Sequence, residues 1–88
     1  KLQNAPAGPG PHCLQVASFR EAQQAKSLVD KLKTAGFTKV RSVSGEVPGK
    51  GTYYRVRVGS YRDGASAESD RRRMKRELKL DCLVMVCE

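Results

Sequence analysis

Two stretches of the chain alternate apolar and polar side chains with a period of two. In the first, Leu14 and Val16 alternate with Gln15 and Ala17. In the second, Tyr54, Val56 and Val58 alternate with Tyr53, Arg55, Arg57 and Gly59. That period marks a strand with one buried and one wet face. The stretches are also copies of each other. Leu14-Gln15-Val16-Ala17-Ser18-Phe19 returns as Val56-Arg57-Val58-Gly59-Ser60-Tyr61 at a constant offset of 42 residues, and each copy is followed by an arginine and an acid. A unit that occurs twice, strand then helix, sets the architecture. The alternation predicts one shared polar face holding Gln15, Ala17, Tyr53, Arg55, Arg57 and Gly59, where two tiny residues leave a depression. Any half-buried strand also turns polar residues outward, so the pattern alone leaves both a ligand groove and a plain wet face open.

Residues 20–35 place Ala22, Ala25, Leu28, Val29 and Leu32 three and four apart, which lines one helical face. Ser18 is a candidate N-cap with Glu21 in capping-box position, and Gly36 is placed to end the helix in the left-handed conformation before Phe37 returns to the core. A second strand falls within residues 39–46. Its facing is ambiguous, because Val40 and Val43 differ in parity. The stretch Val47-Pro48-Gly49-Lys50-Gly51-Thr52 reads as a hairpin connection. A second helix over residues 64–78 has only a narrow apolar stripe (Ala67, Met74 and Leu78), and Asp70 and Arg71 stand where apolar residues would help. Cys82-Leu83-Val84-Met85-Val86 is a last strand. The order strand, helix, strand, strand, helix, strand predicts an α+β fold: a βαββαβ split βαβ, or RNP/ferredoxin-like, arrangement. Its four-stranded antiparallel sheet carries both helices on one face and leaves the other open.

At 88 residues the chain makes one domain, and a domain of that size buries roughly two thirds of its unfolded surface. No apolar run is long enough to span a bilayer. Residues 1–11 hold three of the four prolines, Pro6, Pro9 and Pro11, with Gly8 and Gly10. They read as an interdomain tether, with the folded domain over residues 12–88. The net charge of +8 favours an anionic partner without identifying one.

These residues resemble the SPOR domain, the sporulation-related repeat of bacterial envelope, cell-division and amidase proteins. The resemblance covers residues 12–86. It is carried by Leu14-Gln15-Val16-Ala17-Ser18-Phe19, by Tyr54-Arg55-Val56-Arg57-Val58-Gly59-Ser60-Tyr61 and by the Ala35-Gly36-Phe37 helix ending. It implies a non-catalytic module for septal peptidoglycan that recognises glycan strands denuded of stem peptides on the open sheet face. The corresponding positions here are Gln15, Ser18, Tyr53 and Arg55. It also implies a monomeric domain of a larger envelope protein in the periplasm, or otherwise outside the cytoplasm, enriched at the division septum. Three features depart from the family pattern. Ala17 stands where the family usually has Gly, Tyr53 stands where some members carry Trp, and the second helix is unusually basic.

The chemistry of the residues agrees with that implication. Removing the stem peptide exposes a lactyl carboxylate on each muramic acid. Arg55 and Arg57 share a face, and their guanidinium forks match carboxylates in a bidentate way. Gln15 offers a donor and an acceptor, and Tyr53 offers a flat ring with a hydroxyl at its edge. Ser18 and Ser60 end the two strands and can add small polar contacts, or can cap the helices that follow. Phe19 and Tyr61 are either core residues or ligand contacts, and Arg57 is either a ligand or a solvated strand residue. Envelope oxidation would permit a disulfide from Cys13, which opens the first strand. Antiparallel neighbours bring it closer to Cys87 than to Cys82.

Two other classes of partner fit less well. RNA-recognition modules share the βαββαβ pattern and the basic charge, but they stack bases on aromatics, and only Tyr53 is aromatic among the matching outward positions. A protein-interaction domain stays open as an alternative. No enzyme is expected: His12 stands alone, and no Ser/His/Asp or Cys/His set is evident. No phosphate loop follows the first strand, and the three cysteines lack metal-binding spacing. No cofactor or metal is expected. Arg71, Arg72, Arg73, Lys75 and Arg76 are expected to form a solvated helical face, with anionic polymers or headgroups as the alternative partner.

Overall fold

A computed structural model describes residues 10–87. The element order is β1 (His12–Phe19), α1 (Ala22–Thr34), β2 (Arg41–Val47), β3 (Gly51–Tyr61), α2 (Gly64–Leu78) and β4 (Leu83–Val86). The strands form one sheet in the order β2-β3-β1-β4, and every neighbouring pair is antiparallel. This is the α+β, βαββαβ arrangement that the repeat predicts. The tether reading of residues 1–9 lies outside the described residues. Gly10 and Pro11 already bond to the sheet: the Ser60 hydroxyl accepts from Gly10 N–H at 3.0 Å and donates to Gly10 O at 2.8 Å, and Cys87 N–H donates to Pro11 O at 2.6 Å.

Both helices cover one face. Leu14, Val56 and Val58 from the sheet pack with Ala25, Val29 and Leu32 of α1 and with Ala67 and Met74 of α2. Leu14, Leu32, Val56, Val58 and Met74 are completely buried, each contributing about 1.5–3 kcal/mol. Gly36 ends α1 with φ +99°, its N–H on Lys33 O at 3.0 Å while Phe37 N–H reaches Leu32 O at 3.2 Å. The Pro48-Gly49 turn closes the β2–β3 hairpin: Lys50 N–H donates to Val47 O at 2.9 Å, and Gly49 takes φ +79°, the conformation that a type II turn demands of its third residue.

Two irregularities alter the facing expected from simple alternation. In β1, Gln15 pairs with Arg57 but Ala17 pairs with Val56. Two residues, Val16 and Ala17, therefore oppose one, which is a β-bulge. Ala17 thus turns to the helix side beside Val56, and Ser18 takes the outward place opposite Arg55. In β3 the extra residue lies between Val58, which pairs with Leu14, and Tyr61, which pairs with His12. Gly59 supplies the turn there. Its φ is +85°, and a Cβ would stand 2.1 Å from the Tyr61 ring. Gly59 is consequently a buried structural position and not part of an outward depression.

Neither serine caps a helix. The α1 N-cap is Glu21, with no side-chain bond, and the α2 N-cap is Asp63, whose carboxylate accepts from Ser66 N–H at 2.9 Å. That bond holds the Asp63 carboxyl below its ordinary range. Tyr61 is buried in the core, where its hydroxyl donates to Asp70 at 2.7 Å. The polar break in the α2 stripe is thereby accounted for: Asp70 serves a buried phenol. Burial, reinforced by that carboxylate, holds the Tyr61 phenol well above its usual value. Stability tied to the protonated phenol is present below the ordinary pKa of 10.0 and is lost as pH rises beyond it. Tyr61→Phe is expected to cost about 1 kcal/mol in urea unfolding; an unchanged midpoint would mean that the bond contributes nothing.

Cys13 and Cys87 are paired as a disulfide with Cα atoms 5.8 Å apart, and Cys82 is the free cysteine. Burial pushes the Cys82 thiol up to about 11. Less of it is thiolate at pH 8 than for an ordinary thiol, so it should react more slowly with a disulfide reagent than free cysteine does. Stopped-flow labelling of native protein checks this; a rate at or above that of free cysteine would contradict it.

Candidate functional site

Paired residues of a ladder share a face, so the register lays out the open side of the sheet in rows. One row crosses all four strands: Arg41 on β2, Arg57 on β3, Gln15 on β1 and Leu83 on β4. The next holds Val43, Arg55 and Ser18, and the third holds Gly45 and Tyr53. Successive rows lie two residues apart along β3, roughly 6.6 Å. The opposite face carries Ser42, Val56 and Ala17 in register, and Ser44, Tyr54 and Phe19.

Gln15, Ser18, Tyr53, Arg55 and Arg57 therefore come together on one surface. Ser18 is exposed and the others are half-buried. Phe19, Ser60 and Tyr61 do not join them. Phe19 packs against the core from the helix side, Tyr61 is inside it, and the Ser60 hydroxyl is engaged on both sides by the Gly10 backbone. Three further members of the surface escape alternation. Arg41 and Val43 lie on the strand whose facing is ambiguous in sequence. Leu83 sits in an uninterrupted apolar run that carries no parity signal. Val43 is 36% and Leu83 63% exposed. Arg20, just past β1, places its guanidinium carbon 5.5 Å from the Tyr53 ring centroid and donates to Lys50 O at 3.0 Å.

Several of these side chains are held in place. Arg57 directs Nε and Nη2 at Gln15 Oε1, both at 3.4 Å, long contacts that orient the amide more than they bind it. The Gln15 amide nitrogen is left to donate elsewhere. Arg41 Nη1 donates to Lys39 O at 2.7 Å and Gly59 O at 2.8 Å, so this cation is anchored by the backbone carbonyls around the β3 bulge. The Arg55 guanidinium extends over Gly45, where a Cβ would come within 3.1 Å of Nη1. Gly45 thus gives the arginine its seat.

The basic residues of α2 are largely paired, unlike the arginines of the sheet. On α2, Arg71 donates from Nε to Glu68 at 2.7 Å, Arg72 meets Glu68 at 3.2 Å, Arg73 meets Glu77 at 3.2 Å and Lys75 meets Asp81 at 2.9 Å. The Arg71 hydrogen bond holds Glu68 down to about 2. Arg73 also donates to Ala35 O at 2.7 Å and lies 4.4 Å from the Phe37 ring centroid, tying α2 to the end of α1. The expected solvated face is thus partly a structural one. Among the described residues, no carboxylate pairs with Arg20, Arg41, Arg55 or Arg57. The sheet presents cations that the fold itself does not neutralise.

Among the described residues no cluster of metal-binding side chains occurs, and no helix is long and apolar enough to cross a membrane. The family model for the SPOR domain matches residues 8–85, from before β1 into β4. No curated protein and no solved structure matches the chain significantly.

Proposed function

Because this chain belongs to the SPOR domain family, whose members are septal peptidoglycan-binding modules of the bacterial envelope, we propose that its open face binds glycan strands denuded of stem peptides. The observation that carries this reading is the set of unpaired arginines gathered on the open face. Among the described residues the arginines on the sheet pair with no acid, and a denuded strand offers a carboxylate on each muramic acid. An amide-linked stem peptide withdraws that carboxylate. Arg55 and Arg57 supply guanidinium forks for it. Gln15 and Ser18 supply hydrogen bonds to hydroxyl or acetamido groups, and Tyr53 supplies a ring face. Arg41 adds a third cation to the face, and Leu83 and Val43 give apolar borders for the carbon faces of sugar rings.

The family is a binding one, and on this reading any lytic chemistry would belong to another domain of a larger protein. We place the domain outside the cytoplasm, as a monomeric module of a larger envelope protein at the division septum. The test is sedimentation with purified sacculi before and after amidase removes the stem peptides, with an RNA oligonucleotide in parallel. Enrichment on the treated sacculi is expected. Equal binding to both sacculi, or tight low-salt binding to RNA with none to glycan, would overturn the reading. The helix side provides a control. Arg72 and Arg76 are 73% and 70% exposed, and reversing both charges should leave glycan binding within a few-fold in the same assay; a loss as large as that of open-face variants would move the site to α2.

A further inference from the structure

The helix layer does not reach the outer margin of the sheet. Between α1 and β2 runs a groove of about 590 Å³, with Gln23, Lys26 and Lys33 on one wall, Ser42 and Ser44 on the other, and Val40 among the apolar residues of its floor. It lies on the opposite side of β2 from the arginine rows, since Ser42 and Ser44 pair with Val56 and Tyr54. Two independent features mark it. The first is the edge itself. Among the described residues β2 pairs only with β3, in unbroken register over Arg41–Val47. Edge strands usually carry a bulge, a proline, charged side chains or a cover that prevents further pairing; β2 has no bulge, proline or lysine, and its two charges, Arg41 and Glu46, sit at or next to its ends. The other edge, β4, is only four residues long. The second feature is charge. Lys26 and Lys33 are two helical turns apart, about 10.5 Å, and neither pairs with a carboxylate among the described residues.

We propose that this groove is a second binding site, which takes an acidic segment of a partner protein as a fifth strand on β2. Backbone pairing with the free edge would supply affinity, as in other strand-addition complexes. Acidic side chains at alternate positions of the added strand would lie over the groove, where the lysine stems can reach them. The serine hydroxyls would border the same side chains. The chain could then hold a protein partner on one side of the sheet while the other side stays free.

The experiment is a heteronuclear NMR titration of the isotope-labelled chain with a capped decapeptide alternating Glu and Thr. Controls are its Lys-for-Glu counterpart and inorganic polyphosphate. Saturable shifts in the amides of residues 41–47 are expected with the acidic peptide, weaker by tenfold or more in the K26E/K33E double variant and absent with the basic peptide. Binding of that double variant to amidase-treated sacculi should match the parent's. The proposal is overturned if no saturable shift appears in β2, if the shifts fall on Arg55 and Arg57 instead, if the double variant binds the peptide as the parent does, or if polyphosphate produces the same shifts with equal affinity.

Discussion

Replacing Cys13 and Cys87 together by alanine is expected to lower the stability of the domain by about 4 kcal/mol and its melting temperature by about 20 °C. The two cysteines are 74 residues apart in sequence, so their bond closes nearly the whole chain into one loop. In the chain-entropy account, the stabilisation grows with the logarithm of loop length and reaches about 4 kcal/mol for a loop of this size. A domain of this length has a total stability on the order of 5–10 kcal/mol, so the loss removes a large share of it. Thermal unfolding of the parent, with and without reductant, and of the double variant is the measurement. Reductant should lower the parent's transition to near that of the variant and leave the variant unchanged. Thiol counting on the unreduced protein should find one thiol, Cys82; three thiols would end the prediction.

Arg55→Ala should weaken binding to denuded glycan by about 1.5–3 kcal/mol, some ten- to a hundredfold, the cost of losing a charge-assisted bond. Its guanidinium lies over Gly45 with no internal carboxylate, so truncation leaves no buried acid unpaired and the fold should persist. Arg55→Lys keeps the charge and loses the fork, and is expected to fall between parent and alanine. Gln15→Ala should cost near 1 kcal/mol, as a neutral hydrogen-bonding group partly replaced by water does. Tyr53→Phe should retain most of the affinity, whereas Tyr53→Ala loses the ring that Arg20 stands over. Sedimentation of each variant with amidase-treated sacculi, alongside circular dichroism, reads these differences. If Arg55→Ala and Gln15→Ala stay folded and sediment like the parent, the open face is not the binding surface.

The element order could be read from the chain because each half repeats strand then helix, and because the run from Tyr53 to Val58 alternates without fault. β1 could be read only as far as Gln15. The bulge at Val16 and Ala17 exchanges the facing of everything after it, and nothing in Val16-Ala17-Ser18 announces a bulge as a glycine would. The repeat held a clue that alternation hides. Ala17 and Gly59 are equivalent by the 42-residue offset, and each lies at an irregularity between β1 and β3. The tiny residues mark breaks in pairing, not a depression in the face. Arg41 and Leu83 were hidden for other reasons: a two-sided strand and a wholly apolar one carry no parity. The partners of the basic helix were visible in principle, since Glu68 and Arg72, like Arg73 and Glu77, are four apart on α2, the spacing that brings helical side chains together. Asp70 was opaque, because its reason is a phenol on another element.

The pairing of Cys13 with Cys87 also decides how the domain carries force. A pull on the chain at both sides of the domain passes from Pro11 and His12 through the sulfur bridge and out beyond Cys87, leaving the residues between them unloaded. Without that bridge the same pull would peel β4 from β1, hydrogen bond by hydrogen bond, since the two run antiparallel with their ends together. With it the domain is an inextensible link. Tension applied between Pro11 and Cys87 therefore leaves the arginine rows in their spacing.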